Sequence, residues 1–183
     1  MEFQTAKNVF AVGLILSLGL LDVVIPGVVI VGMILVLIGI YALSQHYGRP
    51  DLFRNMLYAV IVGIVGVVIL LGVVGVTAFF TILSTGHMPP AAFLPILLAI
   101  WVGVWIIIII AASFVRKVYT GLHQVSGVDS FKTAAKLVWI GALTAIVLVG
   151  AIIYLIGEIF AIIGAFELKP PSTQQTQGTT TTI

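Results

Sequence analysis

The stretch Tyr41–Asn55, YALSQHYGRPDLFRN, decides the fold. It is the first polar interruption in a chain of 183 residues that is 61% hydrophobic and 8% charged. So few polar side chains cannot coat a soluble domain of this size. Several apolar runs approach or exceed the ~18 residues that read as a membrane-spanning helix. They are continuous rather than alternating, which excludes a β-barrel. The composition implies an all-α, polytopic membrane protein in which Tyr41–Asn55 joins two helices outside the hydrocarbon.

Working outward, Pro26-Gly27 separates a first helix over 8–24 from a second over 28–44, because proline cannot continue a helix interior and glycine permits the turn. Asp51 reads as the cap of a third helix over 52–83. A loop around Pro89-Pro90 precedes a fourth over 91–123, and Asp129 or Ser130 caps a fifth. The last apolar run, Leu137 to Leu168, has 32 residues. As one helix it would span ~48 Å, against a ~30 Å hydrocarbon core. It therefore divides near Gly150 into helices over 131–149 and 151–168, giving six membrane helices; with no polar residue marking the break, five helices is the alternative. The N-terminal MEFQTAK precedes an apolar stretch without a small-x-small cleavage pattern, and is read as part of the mature helix. Residues 169–183, rich in Pro, Thr and Gln, read as a disordered polar tail.

Charge sets the topology. Lys7, Arg49, Arg54, Arg116, Lys117, Lys132, Lys136 and Lys169 all fall on one side of a six-helix arrangement. The positive-inside rule makes that side cytoplasmic, with both termini there and the chain multi-pass in the plasma membrane. A net charge of +2 gives no argument for nucleic acid.

The opening stretch is also repeated. Shifted by 78 residues, Tyr41–Gly72 falls on Tyr119–Gly150 without a gap, with seven of 32 positions identical. Tyr41 meets Tyr119, Asp51 meets Asp129, Phe53 meets Phe131, Arg54 meets Lys132 and Gly63 meets Gly141. A second echo puts Val31–Leu43 on Ile156–Leu168, with five of 13 positions identical, Gly32 on Gly157 and Gly39 on Gly164. Three helical hairpins repeated in parallel orientation account for both. In the recurring D-x-F-[RK] element the aspartate suits a helix N-terminus, the phenylalanine enters the interface, and the base pairs with the aspartate or reaches lipid phosphate. With Arg116 and Lys117 these residues form a cytoplasmic connector that anchors the helices, or docks a partner or anionic lipid.

These residues carry a family resemblance. ALSQHYGRPDLFRNMLYAVIVGIVG and FVRKVYTGLHQVSGVDSFKTAAKLVWIGALTAIVLVG are similar to the archaeal and bacterial integral membrane proteins grouped as domain of unknown function 996. The resemblance covers most of residues 8–168. It implies a small polytopic membrane protein with no established activity, and so supplies no catalytic residues. Glu158 departs from it, standing where an apolar residue is expected.

Glu158 is the one charge deep inside an expected span. An ionised carboxylate there is costly, so it is either protonated or paired, and it becomes the candidate for proton or ion handling. Tyr154 and Thr144 are its candidate partners, and Asp22, at the outer end of the first helix, is the second acidic candidate. The bland alternative is a neutral carboxyl hydrogen-bonded to a neighbouring helix. Gly32, Gly39, Gly63, Gly141, Gly157 and Gly164 read as packing positions, since small residues let membrane helices approach closely. Trp101 and Trp105 read as an aromatic belt or packing contact. His46 and His123 lack the spacing of a metal motif, there is no cysteine, and no catalytic constellation appears. No metal, cofactor or enzyme activity is expected. The leading expectation is a scaffold, accessory or membrane-organising protein of the lipid bilayer, acting as a homo-oligomer or with a membrane-protein partner. The alternative is a small proton- or ion-coupled transporter or channel using Glu158.

Overall fold

The computed structural model describes residues 1–19, 24–87 and 89–171. Among these the chain forms six α-helices and no strand: α1 Phe3–Ser17, α2 Val28–His46, α3 Pro50–Thr85, α4 Pro90–Ser126, α5 Asp129–Thr144 and α6 Leu148–Glu167. Four of them, α2, α3, α4 and α6, are long and apolar enough to cross a membrane. The chain is thus a helical protein built for a bilayer. α1 and α5, with 15 and 16 residues, are shorter.

The strongest pairings are α1 with α2, α3 with α4 and α5 with α6. α2 also packs on α3, α4 on α5, and α6 returns to α1, so the helices close a ring. Phe10, Ile40, Leu43, Leu52, Tyr119, Leu122 and Phe131 are fully buried and form the core. The core lies toward the end where α1 begins and α6 finishes. There the Lys7 ammonium donates to the Leu168 carbonyl at 3.2 Å, and the Tyr47 hydroxyl donates to the Lys169 carbonyl at 2.6 Å. Beyond it, α3 and α4 continue as a pair with apolar faces open, as at Val68 and Phe93.

Close backbone approach explains the glycine seams. A Cβ on Gly39 would lie 2.6 Å from the Phe10 backbone, and one on Gly32 would lie 2.5 Å from the Ser17 nitrogen. In the third hairpin the same seats recur: Gly164 faces the Phe131 ring, and Gly157 faces Val138. Gly141 lies on the backbone of Tyr154. Gly63 differs from the expectation, because a Cβ there would meet nothing within 4 Å. It opens space instead of closing a seam.

Several boundaries shift for local reasons. α1 begins at Phe3 and ends at Ser17, against an expected 8–24. Gly19, in the left-handed region at φ 74°, stops it early, and Ala6 N–H bonds the Glu2 carbonyl to extend it backwards. The break between α5 and α6 falls at 145–147 rather than at Gly150. Gly150 is still what the turn requires, since a Cβ there would collide with the backbone of Thr144. Asp51 is not the cap of α3: the helix starts at Pro50 with Arg49 in the cap position. Arg49 takes both Asp51 oxygens, at 2.8 and 2.9 Å, while Arg54 stays exposed. The base that pairs thus precedes the aspartate rather than following it. Asp129 likewise opens α5 as its first residue, after Val128 in the cap position. Asp22 and most of the C-terminal tail lie outside the described residues.

Candidate functional site

The helices form a partly open cavity of about 390 Å³. Five helices line it. Leu14 and Ser17 come from α1, Met33 and Val36 from α2, and Met56, Val60 and Gly63 from α3. α4 adds Ala111, Val115 and Tyr119, and α6 adds Ala151, Tyr154, Leu155 and Glu158. The walls are mostly hydrocarbon, and Glu158 carries the one charge on the described lining.

Glu158 is positioned from both sides. The Tyr119 hydroxyl, crossing from α4, donates to its Oε2 at 2.8 Å. Tyr154, one turn earlier on α6, presents its phenol to the same carboxyl. Tyr119 is itself held in place, 1% exposed, with its ring centroid 6.0 Å from that of Phe131. α5 supports α6 from behind at Gly157 against Val138 and at Gly141 against Tyr154. The carboxyl therefore sits on a braced wall with its open side toward the cavity. Such a group can hold and release a proton, or meet a cation, without the helices parting.

Of the partners read from the sequence, Tyr154 is in place and Thr144 is not. The Thr144 hydroxyl donates to the Ile140 carbonyl of its own helix at 2.7 Å. Tyr119 is the partner that sequence reasoning missed. It was visible as the repeat-mate of Tyr41, but the repeat does not show which tyrosine turns inward. Tyr41 is 51% exposed and packs on Phe53, with ring centroids 5.1 Å apart. The same Tyr–Phe contact thus forms at both connectors, and the environments differ.

The connector residues gather at the other polar feature. Arg49, Asp51, Asn55, Arg116, Lys117 and Trp139 border an open hollow between α3, α4 and α5. The Arg116 guanidinium lies 5.4 Å over the Trp139 ring, and the Lys117 ammonium lies 5.0 Å over the Phe114 ring. Lys132 is exposed, and Phe53 packs against the core rather than reaching outward. Hydrogen bonding to Asp51 raises the affinity of Arg49 for its proton. The histidines are engaged locally: His46 Nε2 lies 3.0 Å from the Met1 carbonyl oxygen, and His123 Nδ1 lies 3.0 Å from that of Val128. Trp105 donates to the Ala142 carbonyl at 3.1 Å, a packing role between α4 and α5.

Comparison with known proteins gives two matches. Residues 28–159 match the family model described as protein of unknown function (DUF996). An uncharacterised protein of Methanocaldococcus jannaschii is 30% identical over 172 residues, covering 92% of this chain and 94% of the relative. No solved structure matches. The matched region contains α2 to α5 and the first part of α6, with Tyr119, Tyr154 and Glu158 inside it.

Proposed function

The chain belongs to the family described as protein of unknown function (DUF996), and within that frame we propose that it is a small membrane transporter or channel whose working group is Glu158. One observation carries this reading: a braced carboxyl, bonded to Tyr119 at 2.8 Å, faces a partly open cavity lined by five helices. A carboxyl at membrane depth is costly to ionise, and such groups characteristically mark proton or ion paths.

In this reading all six helices cross the bilayer as three parallel hairpins, α1 and α5 being short crossings. The paired seats support the repeat: Gly39 on Phe10 and Gly32 on Ser17 in one hairpin, Gly164 on Phe131 and Gly157 on Val138 in another. The 78- and 125-residue shifts bring Met33, Ala111 and Glu158 into equivalent places, and all three line the cavity. Of these three cavity positions, Glu158 is the one that carries a charge. The basic connectors face the cytoplasm, as the positive-inside rule directs, and Arg116 and Lys117 meet lipid phosphate there.

A scaffold role has its own support. The outer halves of α3 and α4 expose Val68, Leu83 and Phe93 to more than half of their surface, enough for a membrane partner or second copy. Solvent access separates the two. The chain has no cysteine, so Ala111→Cys and Ala151→Cys each introduce a single thiol into the cavity wall. A transporter or channel expects both to react with a membrane-impermeant maleimide from at least one side of sealed vesicles. Failure to react from either side, with the detergent-solubilised protein reacting normally, overturns the transport reading.

A further inference from the structure

The wall chemistry of the cavity restricts what Glu158 can exchange with. A desolvated metal cation takes about six to eight oxygen ligands. The described lining offers oxygen-bearing side chains only at Glu158, Tyr119, Tyr154 and Ser17. Three of those are already engaged: Tyr119 and Tyr154 bond Glu158, and Ser17 donates to the Leu14 carbonyl of its own helix at 2.9 Å. The rest is aliphatic or thioether. An inorganic ion would leave its water shell without replacement, or press that shell against hydrocarbon.

The same wall suits a cation that carries its own apolar surface. Leu14, Val36, Val60 and Leu155 supply flat aliphatic contact, and Met33 and Met56 adapt their unbranched side chains to shape. Tyr154, half-buried on the cavity wall, places an aromatic ring beside the carboxyl, and such rings attract quaternary and other organic cations. A volume of about 390 Å³ lies in the range that takes a compact drug-sized molecule. No Lys, Arg or His stands on the described lining to neutralise Glu158.

We propose that the cavity binds a lipophilic organic monocation, which replaces a proton on Glu158; this rests on the transport reading above. The exchange balances. The protonated carboxyl gives its proton to water as the cation enters, the carboxylate then pairs with the cation, and the net charge of the site is unchanged. No covalent bond other than O–H is broken or made. Low pH therefore opposes binding through Glu158. The titratable groups facing it on the described lining are Tyr119 from α4 and Tyr154 from α6. α1, α2 and α3 bring none, and α5 faces α6 through Phe131, Val138 and Gly141.

The test is equilibrium binding of tetraphenylphosphonium to the purified full chain in detergent, with triphenylphosphine oxide as the neutral comparison. The expected result is saturable binding of the cation, at least tenfold tighter than the neutral compound and weakening as pH falls. About one proton is released per cation bound. Glu158→Gln weakens binding at least tenfold and abolishes proton release, while Glu158→Asp keeps both in reduced form. Circular dichroism and gel filtration establish that the variants fold. No saturable binding by the wild-type chain, or equal binding by Glu158→Gln, overturns the proposal. Flux that depends on Glu158 without phosphonium binding removes the organic-cation class and leaves the transport reading standing. Phosphonium binding at Glu158 without flux in vesicles supports the ligand class and removes transport.

Discussion

The Tyr119 hydroxyl donates to Glu158 Oε2 at 2.8 Å, linking α4 to α6 across 39 residues of sequence. Together with Tyr154 on its own helix, the bond holds the carboxyl in place on the cavity wall. Tyr119→Phe removes the donor and keeps the ring against Phe131. A buried group that loses its partner costs about 1–3 kcal/mol. The variant should fold, melt at lower temperature, and bind a cation or proton at Glu158 with altered affinity. Thermal unfolding in detergent together with the pH dependence of binding checks this.

Gly39 and Gly63 separate packing from space. A Cβ at Gly39 would lie 2.6 Å from backbone atoms of Phe10, whereas one at Gly63 meets nothing within 4 Å. Gly39→Leu should force α1 and α2 apart, at about 1–3 kcal/mol or more for overpacking. Gly63→Ala should be neutral or stabilising by up to about 1 kcal/mol, because alanine is the better helix former. Comparing the two melting temperatures checks the assignment. Equal destabilisation would contradict it.

Tyr47 ties the end of α6 to the connector through its 2.6 Å bond to the Lys169 carbonyl. Burial pushes its phenol up to about 12. The folded state therefore favours the neutral phenol. That contribution is complete below the ordinary tyrosine value of ~10 and is lost as pH rises toward about 12. Stability should be insensitive to Tyr47 ionisation at neutral pH and should fall in strong base. Tyr47→Phe should remove that part of the alkaline loss, at a cost near neutrality of about 0.5 kcal/mol. Denaturation at pH 7 and pH 11 in both chains measures it.

The Arg49–Asp51 pair is more than a third exposed at Arg49 and about a third at Asp51. Screened pairs of this kind contribute about 0–1 kcal/mol. Asp51→Asn should leave stability nearly unchanged and Glu158-dependent binding intact. Weaker phosphonium binding in this variant would mean that the connector and the cavity are coupled.

The sequence disclosed the helical membrane character, the hairpin order and the lone charge, because each is written in runs of hydropathy or in single polar residues. Glycine spacing also disclosed Gly39 and Gly157 as seams. Three things were not legible. α1 ends at Ser17 because Gly19 turns left-handed, and an apolar run carries no sign of that. Arg49 rather than Arg54 pairs with Asp51 because α3 starts at Pro50, two residues early, which puts Arg49 in the cap position beside Asp51. Tyr119 and Tyr41 align when the sequence is shifted by 78 residues, yet only ring closure through α6 decides that Tyr119 meets a carboxyl. Side-chain period predicts faces; which faces converge depends on contacts distant in sequence, such as Tyr119 with Glu158, 39 residues apart.

In the proposed exchange, Glu158 carries a proton one way across the bilayer for each cation it carries the other way. The most direct test of this exchange is proton movement in proteoliposomes holding the full chain, with a lumenal pH dye and an imposed gradient of tetraphenylphosphonium. Wild-type protein should move protons against the cation gradient, and Glu158→Gln, folded and inserted to the same extent, should reduce the rate to that of empty vesicles. Equal rates for the wild-type and Glu158→Gln chains, or no movement above empty vesicles under proton, alkali-cation or phosphonium gradients, would contradict the account.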